Sequence, residues 1–232
     1  MNTKLNLLAL ALAGFTTAAS ANISVNVGAI TVAPNDSSSS LNVVEKVAGL
    51  PTGSTAVGVN SNSQLGLTID YKINQNWTAE LIAATPFSHD IEVEGSAIDG
   101  LDIGKTKHLP PTLVAQYHFD VGNSNFDPFV GVGLNYTKFF DESASGALKT
   151  TLQALKVTTA SDDVDLKLKA SWGLALQAGF NYKLSDNWGA HFAVSKMDID
   201  TTGEVRVNDN VIQSVDVQID PWVYMVGVRW SM

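Results

Sequence analysis

The stretch Ser214–Met232, SVDVQIDPWVYMVGVRWSM, sorts its chemistry by parity. Trp222, Tyr224, Val226, Val228, Trp230 and Met232 are all apolar or aromatic, whereas Val223, Met225, Gly227 and Arg229 are mixed and end in a charge. A period of two marks a strand, because successive side chains point to opposite faces. A long apolar face with aromatics at both ends suits a wall against lipid, since Trp and Tyr sit well where hydrocarbon meets headgroups. A soluble sandwich strand shares the period, so the remaining chain must decide.

Composition narrows the choice. Residues 1–21 read as a cleavable secretory signal: Lys4 supplies the positive start, Leu5–Phe15 the apolar run, and Ala19-Ser20-Ala21 the small-residue cleavage site. The run is shorter than the ~20 residues of a membrane helix, and no later stretch reaches even ~18. The mature chain is then 22–232. With no Cys among 232 residues, an exported disulfide scaffold is excluded. A balance of 14 basic to 23 acidic residues argues against nucleic acid, whose phosphates require basic patches.

Working back from the last strand, seven more segments alternate: 22–33, 64–73, 77–86, 108–119, 126–140, 170–184 and 188–201. Segment 64–73 is the cleanest, with Leu65, Leu67, Ile69, Tyr71 and Ile73 on one face and Gln64, Gly66, Thr68, Asp70 and Lys72 on the other. Short polar turns at 74–76, 120–125 and 185–187 alternate with long connections at 34–62, 87–107, 141–169 and 202–213. The long connections read as loops, with Leu148, Leu152 and Leu155 suggesting one short helix. Short turns on one side and long loops on the other, with an even strand count, are the outer-membrane pattern. The expected fold is an all-β, eight-stranded antiparallel transmembrane β-barrel. Trp77, Trp172, Trp188, Trp222 and Trp230 at strand ends have no use in a sandwich.

The inner parity divides by height. Near the short turns it is polar, with Asp70, Lys72, Glu80, His118, Lys183, His191 and Arg229. The turn at 74–76 sets Asp70 opposite Glu80, so Lys72, Lys183 and Arg229 are the candidate counter-cations. An eight-stranded interior is just wide enough for side chains to fill, so such a cluster would plug the lumen. Further out the inner face turns apolar, with Ile30, Val32, Ile82, Val114, Met197, Ile199, Val217, Ile219, Val223 and Met225. Over the same rise the outer face of the last two strands turns acidic, so these strands should project above the bilayer around an apolar cavity. The competing reading is a small core packed beneath the loops.

These strands carry a resemblance. TVAPNDSS (Thr31–Ser38), SQLGLTIDY (Ser63–Tyr71), NWTAELIAATPFSHDI (Asn76–Ile91), TKHLPPTL (Thr106–Leu113), PFVGVGLNYTKFF (Pro128–Phe140), SWGLALQAGFNY (Ser171–Tyr182), MDIDTT (Met197–Thr202) and DPWVYMVGV (Asp220–Val228) resemble the OmpW family along nearly the whole mature length. The resemblance implies a Gram-negative outer-membrane barrel associated with passage of small hydrophobic molecules through an apolar lumen, with lateral exit into the bilayer as one route. It implies outer-membrane lipids, hydrophobic solutes and the barrel-assembly machinery as partners; lipopolysaccharide is a partner to which the acidic loop with Asp90, Glu92 and Glu94 could bridge through divalent ions. Relatives usually end in an aromatic residue; this chain ends in Met232.

An enzyme is the second function class. His191 and Ser195 share the inner face of one strand, but four residues at ~3.3 Å each hold them about 13 Å apart, too far for a nucleophile and base. His89 and His108 read as residues at loop bases, and Asp90, Glu92 and Glu94 as solvated charge. No catalytic residue, metal or cofactor is expected. A structural or receptor-type barrel without transport is the alternative, with a lipid-modifying enzyme behind it.

Overall fold

The computed structural model describes residues 22–232; the expected signal at 1–21 lies outside them. The chain opens with β1 (Ile23–Ala33), β2 (Ser37–Ser38), helix α1 (Asn42–Ala48) and β3 (Ala56–Val59). Next come β4 (Asn62–Lys72), β5 (Trp77–Ala84), β6 (Phe87–Glu94), β7 (Asp102–Leu109) and β8 (Thr112–His118). The second half holds β9 (Phe126–Ala144), helix α2 (Gly146–Ala154), β10 (Val164–Leu168), β11 (Ser171–Lys183), β12 (Trp188–Met197), β13 (Asp200–Val207), β14 (Asn210–Gln218) and β15 (Trp222–Ser231). Among the described residues no helix is long and apolar enough to cross a membrane.

Eight of these strands form a closed antiparallel ring in the order β1, β4, β5, β8, β9, β11, β12, β15. β1 closes it, pairing β4 on one side and β15 on the other, from Ser24↔Ser231 to Ala33↔Trp222. Closure is what the bilayer demands, because each unpaired backbone group in hydrocarbon costs several kcal/mol. At the closing seam Gly28 faces Gly227, and a Cβ on Gly28 would collide with the backbone of Val226 and Gly227.

The outer wall is apolar because alternate residues face lipid: Leu65, Leu81, Leu113, Val132, Leu134, Leu174, Leu176, Val226 and Val228 are all exposed. Aromatics bound this band. Trp77 pairs Tyr117, Trp188 pairs Trp230, and Tyr182 pairs Phe126 at the level of the short turns. Trp172 beside Tyr136, and Trp222, mark the other level. Trp172 and Tyr182 are ten positions apart on β11. At ~3.3 Å per residue and a tilt near 40°, that spans ~25 Å, the height of an outer-membrane apolar band. At one short turn the Asn74 side-chain oxygen accepts from the N–H groups of Asn76 at 3.0 Å and Trp77 at 2.9 Å, a local bond that reverses the chain.

The long connections are not loops. They carry the wall upward as a second β storey. β3, β6 and β7 extend the sheet against the upper part of β9, while β10, β13, β14 and β2 form a separate four-stranded sheet. The 87–107 connection is largely a hairpin in which Phe87, His89, Ile91 and Val93 are buried and the residues between them face solvent. Its acidic residues are the water side of a strand, which composition alone makes look like loop. The seventh and eighth segments likewise end at Met197 and begin at Trp222, with β13 and β14 forming a further hairpin between them. Inward parity survives the break: Thr201, Val205, Val215, Val217 and Ile219 are all buried.

Two short helices cap this storey. α2 begins where the Ser145 hydroxyl accepts from the Leu148 N–H at 2.9 Å, and it buries Leu148 and Leu152. α1, absent from the sequence reading, is tied down by its buried Glu45 carboxylate. That group accepts from the N–H of Gly53 at 2.9 Å, the N–H of Thr55 at 3.0 Å and the Thr55 hydroxyl at 2.8 Å.

Candidate functional site

The lumen has a polar floor and an apolar upper chamber. In the floor, Asp70 pairs with Arg229, and the Asn26 amide donates to Asp70 at 3.1 Å and to Thr68 at 2.6 Å. Arg229 also donates to Asn26 at 3.1 Å. The Gln177 amide donates to Glu80 at 2.7 Å and in turn accepts from Gln116 at 2.8 Å. His191 donates through Nδ1 to Asn181 at 2.8 Å, and its Nε2 lies 3.9 Å from Glu80. His118 bonds Asp127 at 2.8 Å, and the Asn181 amide reaches the same carboxylate at 3.0 Å. Asn26, Asp70, Glu80, Gln116 and His191 are each at most 2 % exposed, so the network is shut off from solvent.

Asp70 does stand opposite Glu80. Two of the candidate cations stay out of this network. Lys72 and Lys183 end their strands at the short-turn rim, where both are exposed, and Lys183 pairs Asp186 at 3.2 Å. A strongly hydrated ammonium on a flexible stem keeps its water when the rim is within reach, whereas the guanidinium of Arg229 is more weakly hydrated and tolerates the interior. Below the floor lies an open polar vestibule of about 750 Å³, lined by both lysines, Asp70, Asp127 and Arg229.

Above the floor, Ile30, Val32, Ile82, Val114, Met197, Ile199, Val217, Ile219, Val223 and Met225 are all buried within one apolar cluster. Nine of the ten line three stacked voids. A small one sits directly on Glu80, Gln177 and His191 and touches Ile30, Ile82, Val223 and Met225. The next reaches Val32, Met197 and Ile199. The uppermost, about 50 Å³, carries Val32, Ile199, Val217 and Ile219 with Leu41, Val57, Ile91 and Leu166 from the second storey. Val114 instead packs lower, against Gly131 and Gly133. The polar residues of β9 at chamber level spend their bonds on one another and on the wall. Thr137 donates to Asn135 at 2.7 Å, and the Asn135 amide donates to Thr112 at 2.8 Å and to the Pro110 carbonyl at 3.3 Å.

The wall is interrupted at this level. The β5–β8 ladder ends at Ile82↔Thr112, and the β6–β7 ladder begins at Phe87↔His108, slipped by one residue. Between them run Ala83–Pro86 and Leu109–Pro111, where three prolines offer no N–H. The ladders to the neighbours on either side continue past the gap: the Thr85 N–H bonds the Leu65 carbonyl at 3.0 Å, and the Pro111 carbonyl accepts from the Tyr136 N–H at 3.1 Å, while the Pro110 carbonyl accepts from the Thr112 hydroxyl at 3.0 Å. Ala83, Ala84 and Pro110 line the middle void from this seam.

A histidine pair that the sequence reading left at loop bases lies inside the chamber. His89 and His108 are 3 % and 5 % exposed, with their Nε2 atoms 3.0 Å apart. Burial pushes both imidazoles below their usual pKa, His108 to about 3 because a charge on His89 would also oppose its own. The Phe87-x-His89-x-Ile91-x-Val93 alternation was the available signal. At the outer rim, Asp198, Asp200 and Asp220 bring carboxylates within 4.8 Å of one another, and partial burial and mutual repulsion raise the pKa of Asp200.

Known proteins agree with this architecture. The OmpW family model matches residues 19–232. Outer membrane protein W of Vibrio cholerae is 44% identical over 205 residues, covering 88% of this chain and 85% of its own. Among solved structures, the outer membrane protein OprG from Pseudomonas aeruginosa is similar at 37% identity with a TM-score of 0.76, covering 92% of this chain and 96% of its own. The Escherichia coli outer membrane protein W is similar at 33% identity with a TM-score of 0.57, covering 93% of this chain and 100% of its own. With its ring of eight strands, its lipid-facing wall and a family match over nearly its whole length, the chain belongs to the OmpW family of Gram-negative outer-membrane β-barrels.

Proposed function

We propose that this barrel is a porin-like channel for small hydrophobic molecules, which enter the apolar chamber from outside and leave sideways between β5 and β8 into the bilayer. The observation that carries the reading is a coincidence of level: the wall loses its ladder beside the middle void of the apolar chamber, just above the polar floor.

The energetics favour the side route. Straight passage would part the Asp70–Arg229 pair and its amide neighbours, and stripping a buried ion of its partner costs ~3–5 kcal/mol. An apolar solute replaces none of those bonds. Sideways passage parts only the contacts of Ala83, Ala84 and Pro110, where no ladder bond remains to be broken. The solute keeps ~0.8 kcal/mol per CH₂ when it moves from chamber to lipid rather than to water. In this reading the upper lining from Ile30 to Met225 touches the solute, Val being stiff and Met adaptable. Lipopolysaccharide packs outside the Trp172 and Trp222 level, and the assembly machinery engages β15. The work is done by binding and passage, with no group acting as a catalyst.

The chain has no Cys, so Ala84→Cys with Pro110→Cys can staple the seam alone. Vesicles or cells carrying the oxidised double variant should lose uptake of a fluorescent alkylnaphthalene, and a reductant should restore it. Full uptake through a completely stapled seam would remove the lateral route. No uptake by the unaltered barrel above barrel-free controls would favour the structural alternative.

A further inference from the structure

The His89–His108 pair lies apart from the polar floor, and apolar passage alone does not explain it. Its hydrogen-bond directions are forced. The Asn60 carbonyl, 2.5 Å from His89 Nδ1, can only accept, so that nitrogen carries the proton. The neutral His89 ring then presents a bare Nε2, and His108 Nε2 must donate across the 3.0 Å gap. One proton per neutral ring leaves His108 Nδ1 as a lone pair. That atom is buried and has no partner.

The neighbouring polar groups do not supply one. The hydroxyl of Thr106 donates to the Lys107 carbonyl at 3.3 Å, that of Thr137 to Asn135, and that of Thr201 to the Lys169 carbonyl at 2.7 Å. Gln213 spends its amide on Asn42 and on Ser214. His108 lines both the middle and the upper void, its ring centroid 5.2 Å from that of Phe87 and 5.8 Å from that of Phe139. Among the described residues lining these two voids, it holds the buried side-chain nitrogen or oxygen left without a bond. An unmet acceptor in an apolar chamber costs free energy until a donor arrives.

We infer that the chamber selects apolar molecules bearing one O–H or N–H donor, such as a phenol or an alcohol, with His108 Nδ1 accepting the bond. The inference rests on the chamber being the solute site. It adds which solutes the chamber prefers. Burial keeps His108 neutral through the physiological pH range, so the lone pair is available there.

Toluene and p-cresol differ by one hydroxyl and test the point with the whole barrel in lipid nanodiscs. Binding is read from the methyl resonances of Val217 and Ile199, and the acceptor from the ¹⁵N resonance of His108 Nδ1. Both solutes should move the methyl groups, and only p-cresol should move the imidazole nitrogen. His108→Phe keeps a ring of similar size and should lower the p-cresol to toluene affinity ratio about five- to tenfold, the worth of one net hydrogen bond. Should His108→Phe not fold, the ¹⁵N measurement on the unaltered protein stands alone. Binding of p-cresol without a shift at His108 Nδ1 would overturn this inference while leaving the channel intact. Binding of neither solute would overturn the channel reading and this inference together.

Discussion

Replacing Asp70 with Leu should loosen the floor of the lumen by an amount the structure bounds. Asp70 is 2 % exposed and bonds Arg229 and Asn26, so its loss leaves a guanidinium without its counter-charge. Breaking a buried pair from one side costs ~3–5 kcal/mol. Two features pull the figure down. The Arg229 side chain keeps 16% exposure toward the vestibule, and the side-chain oxygens of Asn26 at 3.1 Å and Asn181 at 3.5 Å remain as acceptors. About 2–3 kcal/mol is therefore expected for Asp70→Leu. Removing both charges with Asp70→Leu and Arg229→Met leaves no orphan ion, and should cost only ~1 kcal/mol. The double-mutant cycle should thus return a coupling of at least ~1.5 kcal/mol. Reversible urea unfolding in lipid vesicles, followed by tryptophan fluorescence, measures all four proteins. A double variant less stable than the Asp70 single variant, or a coupling within error of zero, would refute the claim that this pair organises the floor.

Three further outcomes follow from the wall and the chamber. Leu176→Arg, near mid-height on the lipid face, should destabilise the barrel by ~2–4 kcal/mol, while Val211→Arg in the β13–β14 hairpin should change stability little, both read by the same unfolding assay. Gly28→Val should block closure of β1 on β15, because its Cβ would meet the Val226 and Gly227 backbone; the yield of folded, protease-resistant barrel measures this. The second storey should weaken in acid. His108 is depressed to about 3 when folded and lies near 6.5 when unfolded. The unfolded chain therefore binds the extra proton between these values, and the contribution is whole above ~6.5 and lost as pH falls below it, up to ~2–3 kcal/mol by about pH 4.5. Amide hydrogen exchange of β6 and β7 at neutral and acid pH tests this, and His108→Phe should flatten the dependence.

The sequence by itself determined the ring. A strand between lipid and lumen must alternate, so parity alone placed Trp222 through Trp230 outward and Val223 through Arg229 inward. The three-residue turn at 74–76 was short enough to make the register local, which is why Asp70 opposite Glu80 could be read directly. Above the bilayer that logic weakens, because water rather than lipid bathes the outer face. There the acids of Phe87–Glu94 passed for a loop although the residues between them build a wall.

Only the tertiary structure decided which groups meet across the lumen. Arg229 and Asp70 are 159 positions apart, and no local rule prefers that arginine to Lys72, which lies two residues from Asp70. Rim hydration and side-chain reach made that choice once the ring had closed. The same holds for the histidine pair. A one-residue slip between the β5–β8 and β6–β7 ladders fixes its register, and the Asn60 carbonyl, 29 positions from His89, orients its protons. Such contacts depend on registers between strands distant in sequence, and those registers exist only after the whole sheet has assembled.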